Sequence, residues 1–268
     1  MSLSAPVAAL LCLSLLSAPA AAQQDPVADF CRRFGHQTAV VDNKLFIDGG
    51  LVNWNPLSSF PANYTSTLHM AFLPRPLYNV GHGHAPSVRE PLKNGFILNV
   101  AGGALWSDSV NKRLDLFGGE HNLGEPPLPF NLYGNDILNN QWDSLGPSRT
   151  GGSTSKVSYG AGVSVDSRGE AYYFGGWLSN NSVPRLGHRP AGGHDRAGEV
   201  YHGHEYPDSI RRAEGSLQYI PAGDGGMLIY LGGIQDLWAN GTATGQPMNQ
   251  IFIYGVLSSK WYTQKASG

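Results

Sequence analysis

A hairpin pattern that occurs four times constrains this chain more than any other feature. It consists of a short apolar run, a polar turn, a second apolar run and two glycines. The copies are Thr38–Gly50 (TAVVDNKLFIDGG), Gly103–Gly119 (GALWSDSVNKRLDLFGG), Gly160–Gly176 (GAGVSVDSRGEAYYFGG) and Ser216–Gly233 (SLQYIPAGDGGMLIYLGG). Their first glycines stand at 49, 118, 175 and 232, so the spacings are 69, 57 and 57. Each copy reads as two strands joined by a tight turn, at Asp42-Asn43, Asp108 to Asn111, Asp166 to Gly169 and Gly223 to Gly226. Asn, Asp and Gly tolerate the left-handed backbone that such turns need. Helical periodicity is nearly absent, and the best helical candidate, Asp29 to Phe34, is too short to build on. A strand-built unit repeated at this period predicts an all-β array of similar sheets.

The paired glycines (Gly49-Gly50, Gly118-Gly119, Gly175-Gly176, Gly232-Gly233) have a physical reason in such an array. Where inner strands of radially packed sheets converge, a residue without Cβ lets a neighbouring backbone or ring come close. A second signal follows the last pair: Tyr254 and Trp261 bracket six residues, placing one aromatic on each of two outer strands. Rings of that size fill the wedge between adjacent sheets. Composition agrees. Hydrophobic residues are 41% of the chain and the net charge is −2, which excludes charge-driven disorder. Glycine is abundant, 35 of 268 residues, but it comes in pairs and not in the three-residue period of collagen. The 18 basic and 20 acidic residues are scattered, so there is no footprint for nucleic acid or for an anionic membrane.

Paired glycines followed by an aromatic, six residues and a tryptophan resemble the kelch repeat, the blade of a β-propeller. The strand starts add to this. Arg33-Phe34-Gly35-His36 resembles the kelch R-x-x-H preceding an innermost strand, and Arg212-Ala213-Glu214-Gly215 stands in the same register. Over Arg33 to Ser267 the chain is similar to the secreted or membrane-anchored kelch proteins of filamentous fungi, grouped with galactose oxidase-like propellers. The resemblance implies an all-β, kelch-type β-propeller of about four blades over residues 33–268, after a short N-terminal segment 23–32.

Three departures from the family pattern are visible. Trp142 is kept in the second unit, but Asn135 stands where the outer aromatic belongs. No tryptophan follows Trp177 at the expected distance in the third unit, and the strandless stretch Arg189–Pro207 takes its place. The first unit runs into Pro74–Pro91, rich in Pro, Gly and His, which accounts for its longer spacing. Both stretches are expected to be irregular. Family propellers close with about six or seven blades. The resemblance therefore implies an incomplete, open arc, a C-terminally truncated version of a longer protein. Such an arc should be poorly soluble or pair through its open edges.

Residues 1–24 carry no charged side chain, Val7 to Ala18 are apolar apart from serines, and Ala20-Ala21-Ala22 offers small residues for cleavage. Residues 1–22 read as a secretory signal peptide, and the mature chain as extracellular, at a cell surface or wall. Three N-x-S/T triplets, at Asn63, Asn180 and Asn240, fit that route as glycosylation acceptors. Cys12 leaves with the leader, and Cys31 is the single mature cysteine. It is either buried and inert or half of a disulfide with a partner outside this chain.

Galactose oxidase-like propellers also include copper-radical oxidases, which need His and Tyr ligands on the axis and a cysteine cross-linked to one tyrosine. None of these ligands maps onto this sequence, and Cys31 precedes the first blade. His82-Gly83-His84 and His202-Gly203-His204 could chelate a metal on a strand. They stand in the irregular stretches beside His188 and His194, and read as loop histidines. His36 reads as a structural kelch histidine and His121 as a loop residue. No nucleophile elbow, zinc-protease or phosphate-loop motif occurs. The reading is a non-enzymatic binding module for a protein or cell-wall glycan, with no cofactor and no metal. The alternative is a copper-radical oxidase acting on sugars or alcohols.

Overall fold

In the computed structural model the described residues are 30–54, 63–64, 68–72, 88–89, 93, 97–120, 132–146, 157–177, 212–235 and 243–267. All regular structure among them is β. Blade one holds β1 (Phe30–Phe34), β2 (Gln37–Val41), β3 (Lys44–Asp48), β4 (Leu51–Trp54), β5 (Asn63–Tyr64), β6 (Leu68–Phe72) and β7 (Val88–Arg89). Blade two is β8 (Ala101–Asp108), β9 (Arg113–Glu120), β10 (Leu132–Asp136) and β11 (Gln141–Gly146). Blade three contributes β12 (Ala161–Val165) and β13 (Glu170–Phe174). Blade four has β14 (Ala213–Ile220), β15 (Met227–Gln235), β16 (Thr244–Gly245), β17 (Gln250–Gly255) and β18 (Lys260–Lys265).

All pairings are antiparallel, and most join successive strands; β1 pairs with β4, β3 with β6 and β15 with both β16 and β17, and β1-β4-β5 form a small sheet beside β2-β3-β6-β7. The tight turns join the first two strands of each blade where the polar residues predicted them. Asp42 and Asn43 both take positive φ, 50° and 58°, as a two-residue hairpin turn requires. Asp108 accepts from the Val110 and Asn111 amides, and Asp136 does the same for Leu138 and Asn139. The innermost strands stack in chain order, β2 on β8, β8 on β12, β12 on β14. Four blades thus form an open arc.

Two sequence readings are refined. The segment Asp29 to Phe34, too short to build a helix on, is strand over Phe30–Phe34, paired with β4. Its alternating backbone continues β2 past a kink at Gly35-His36, just as β4 continues β3 past Gly49-Gly50. In addition, Pro74–Pro91 is not wholly irregular, because Val88–Arg89 pairs with β6 as a short outer strand. Arg189–Pro207 and the outer part of blade three lie outside the described residues.

Aromatic and aliphatic side chains fill the wedges. Between blades three and four, Phe174 meets Tyr230 at 4.4 Å and Trp261 at 4.9 Å, ring centre to ring centre. Tyr254 and Trp261 are register partners on β17 and β18, 5.1 Å apart. The Asn135–Trp142 pair holds the same register on β10 and β11, with both side chains buried. Phe117 bridges blades two and three, 5.0 Å from Trp106 and 4.8 Å from Tyr173. Between blades one and two, Ala39, Val41 and Phe46 pack on Leu105, Leu114, Leu116, Tyr133 and Trp142.

The blade one wedge also holds a buried ion pair. Asp48 occupies the position before the glycines that Phe117 and Phe174 fill elsewhere. Lys93 Nζ lies 2.7 Å from one Asp48 oxygen and 2.9 Å from the other, both side chains being almost fully buried. The Gln37 amide donates to the same carboxylate at 2.7 Å. The Lys93 ammonium also lies 5.3 Å from the Trp142 ring centre. A buried charge needs such close partners to offset its lost hydration.

Candidate functional site

The glycine pairs, the starts of the innermost strands and the residues that follow the pairs all lie at one end of the arc. The tight turns lie at the other. Two sets of main-chain bonds hold the glycine end together. The Gly50 amide donates to the Val100 carbonyl at 2.7 Å, Gly119 to Val157 at 2.9 Å and Gly176 to Arg212 at 2.9 Å. Each bond joins one blade to the next. The first glycine of each pair makes room for it: a Cβ on Gly118 would stand 2.5 Å from the Val157 oxygen, and one on Gly49 or Gly175 would overlap the oxygen of Val100 or Arg212. The expected close approach is therefore to the following blade's carbonyl. At Gly232 the corresponding neighbour is the Met248 sulfur.

The second set links the starts of the innermost strands, blade to blade. The Gly102 amide donates to the Gly35 carbonyl, Tyr159 to Gly102 and Glu214 to Tyr159, each at 2.6 Å. All four residues take positive φ, between 56° and 68°, and each opposes the second glycine of its own pair. The result is a staircase of left-handed residues, one per blade. Sequence reading missed it because the four residue types differ. Its only trace was the register of Arg33 and Arg212, each two residues before a step.

Arg212 is buried, with one guanidinium nitrogen donating to the Gly232 carbonyl at 3.2 Å, another bonded to Gln250, and the Phe252 ring centre 4.8 Å away. It ties β14 to β15 and β17. Desolvation, with the Arg33 charge second, holds the His36 imidazole below its ordinary value. Burial pushes the Tyr173 and Tyr230 hydroxyls up, Tyr230 to about 12, so both stay neutral and pack as structural rings. The Gly160 amide donates to the Tyr173 hydroxyl at 2.8 Å.

Side chains at the glycine end gather around blade three. The Tyr159 ring lies over Gly102, where any Cβ would meet it at 2.8 Å, and packs tilted by 48° against Trp177, ring centres 5.1 Å apart. Trp177 is fixed by two main-chain bonds with Ser158, 2.9 and 3.0 Å. The Ser158 hydroxyl donates to the Glu120 carboxylate at 3.4 Å. A half-buried pair of rings thus stands beside a half-buried carboxylate that a fully buried hydroxyl holds.

Of the remaining predicted residues, Asn63 lies on β5, next to β4, at this same end. Asn180, Asn240, His82, His84, His121, His188, His194, His202 and His204 lie outside the described residues. Cys31 lies on β1, with nothing described of its side chain. Among the described residues no helix is long and apolar enough to cross a membrane.

Comparison with known proteins places this arrangement. No family model matches the chain. A kelch repeat-containing protein of Arthroderma benhamiae is 29% identical over 285 aligned positions, which span 90% of this chain and 41% of that protein. The chain thus spans about two fifths of the length of the curated relative it matches. The solved structure of YjhT superposes with a TM-score of 0.55 and 14% identity, over 86% of this chain and 70% of that one. The fold is an all-β, kelch-type β-propeller arc.

Proposed function

We propose that this chain is a secreted, non-enzymatic kelch propeller that binds a protein or cell-wall glycan through the glycine end of its blades. The observation that carries this reading is the Tyr159–Trp177 pair beside Glu120 and Ser158. Aromatic faces stack on the C–H faces of sugar rings or on apolar side chains, while the Glu120 carboxylate, held by the buried Ser158 hydroxyl, accepts from hydroxyls or amides. The blades supply rigidity and the neighbouring connections supply variety, a division common where loops sit on a scaffold. Secretion is supported by the apolar leader 1–22, and glycosylation by the triplets at Asn63, Asn180 and Asn240.

Binding of the secreted chain to a panel of cell-wall polysaccharides and surface proteins tests this reading, with Trp177→Ala as the control. Binding that falls at least tenfold in the variant, with unchanged melting, supports it. Equal binding by both proteins would remove the site. Stoichiometric copper with a radical absorption band would replace the reading with that of an oxidase.

A further inference from the structure

Tyr159 is the aromatic step of the staircase. Gly35 and Gly102 hold the steps of blades one and two, where φ values of 63° and 68° suit a residue without Cβ, whereas the bulky Tyr159 is held at 57°. A glycine at 159 would make the same main-chain bonds, so what the strained position adds is the ring. Strain of this kind persists where a side chain has a task. The ring is laid across both glycine steps: a Cβ on Gly35 would stand 3.6 Å from it and one on Gly102 2.8 Å from it. That packing backs the ring but does not account for what stands beside it.

One buried residue, Ser158, sets the other two groups. Its main chain exchanges two bonds with Trp177, and its hydroxyl donates to Glu120 Oε1 at 3.4 Å. Glu120 Oε2 takes no bond among the described residues. Tyr159, Trp177 and Glu120 are all half-buried. The two rings are inclined by 48°, so they form a corner and not a parallel stack. Glu214, exposed and the next step after Tyr159, brings a second carboxylate to this end. Of the described basic side chains at this end, Arg33 and Lys265 belong to blades one and four. Lys93 and Arg212 are buried and committed, the first to Asp48 and the second to Gly232 and Gln250.

We propose that this corner receives the free ammonium group of an amino sugar, which makes the ligand a glycan of deacetylated, glucosamine-type units. The assignment rests on the binding reading above and narrows it. An ammonium is drawn to the π faces of Trp and Tyr. It donates to the second Glu120 oxygen in a charge-assisted bond, while the C–H face of the sugar covers the rings. A uronic acid or a phosphate would meet two carboxylates at this end. A neutral sugar would offer Glu120 only a hydroxyl, the weaker donor. A lysine side chain offers the charge on a flexible stem, without the flat C–H face that the rings can cover.

Titration calorimetry of the full chain with three hexamers tests the assignment: glucosamine, N-acetylglucosamine and a neutral β-glucan. The glucosamine hexamer should bind about tenfold more tightly than either of the others. Glu120→Gln, whose amide oxygen still accepts from Ser158, should abolish that preference, and Trp177→Ala should weaken binding of all three. Equal binding of free and acetylated hexamers by the wild type overturns the inference, as does a preference that survives Glu120→Gln. Binding confined to neutral or acetylated hexamers, and lost in Trp177→Ala, overturns the amino-sugar assignment and leaves the binding reading standing. Failure of every glycan and surface protein to bind through Trp177 removes both. A lysine hexamer that binds as tightly as the glucosamine hexamer shows that charge alone is read and overturns the saccharide. Salt supplies a readout if Glu120→Gln fails to fold: wild-type affinity for the glucosamine hexamer should fall about threefold or more between about 50 and 300 mM salt, and no change counts against the proposal.

Discussion

Gly175 and Arg212 meet so closely across the blade three–blade four boundary that a Cβ on the glycine would overlap the arginine carbonyl oxygen. The Gly176 amide bonds to that same oxygen. One residue leaves the space and the next uses it, so the pair is a single device.

Gly175→Ala should therefore cost more than about 2 kcal/mol, from the clash together with a left-handed backbone that alanine resists. Gly118→Ala should behave alike. Gly232→Ala should cost less, because its neighbour is the flexible Met248 side chain, which can swing aside. Thermal melts of the three variants give the order, and an equal loss at all three would contradict it.

The Asp48–Lys93 pair predicts an asymmetry. Lys93→Met leaves a buried carboxylate with Gln37 alone and should destabilise by about 3 kcal/mol. Replacing Asp48 as well, by Leu, should recover much of that loss, since an apolar pair of similar volume needs no hydration offset. Urea denaturation of the single and double variants measures the difference.

Trp261→Ala should cost about 3 kcal/mol, because its ring touches both Phe174 and Tyr254 and no neighbour can fill the space. Loss of fluorescence cooperativity in the urea transition would accompany it if blade four separates from blade three.

Stability should fall in two acid windows. His36 has a lowered folded pKa, so the unfolded chain takes the proton first and stability declines as pH drops below about 6.5. Burial opposes ionisation at Asp108, but the bonds from Asn111 and Val110 outweigh it and lower its pKa. The Asn139 and Leu138 bonds lower that of Asp136. Their contribution is present above about pH 3.9 and is lost as pH falls through the folded values. His36→Gln should flatten the first window, and Asp108→Asn with Asp136→Asn the second, in denaturation midpoints measured against pH.

Much of the blade plan was legible because it rests on side chains with narrow backbone habits. Asp42-Asn43 could hardly be other than a turn, and Tyr254 to Trp261 spans one hairpin. The purpose of Gly175-Gly176 was half legible: crowding was evident, but not that the crowding atom is a main-chain oxygen. The staircase was hidden, since Gly35, Gly102, Tyr159 and Glu214 share a conformation and not a side chain. Phe30–Phe34, at five residues, carries too little periodicity to separate strand from helix. Asp48–Lys93 joins residues 45 apart, and nothing local announces that a charge replaces a ring. The Tyr159–Trp177 pair was out of reach for the same reason.

A staircase made of main-chain atoms has a mechanical consequence. Pulling the two termini apart loads the links between blades in series, so all carry the same force and the weakest Gly–carbonyl clasp opens first. Force spectroscopy should show a saw-tooth of separate events, with the boundary that contains the Lys93 ion pair giving the tallest tooth.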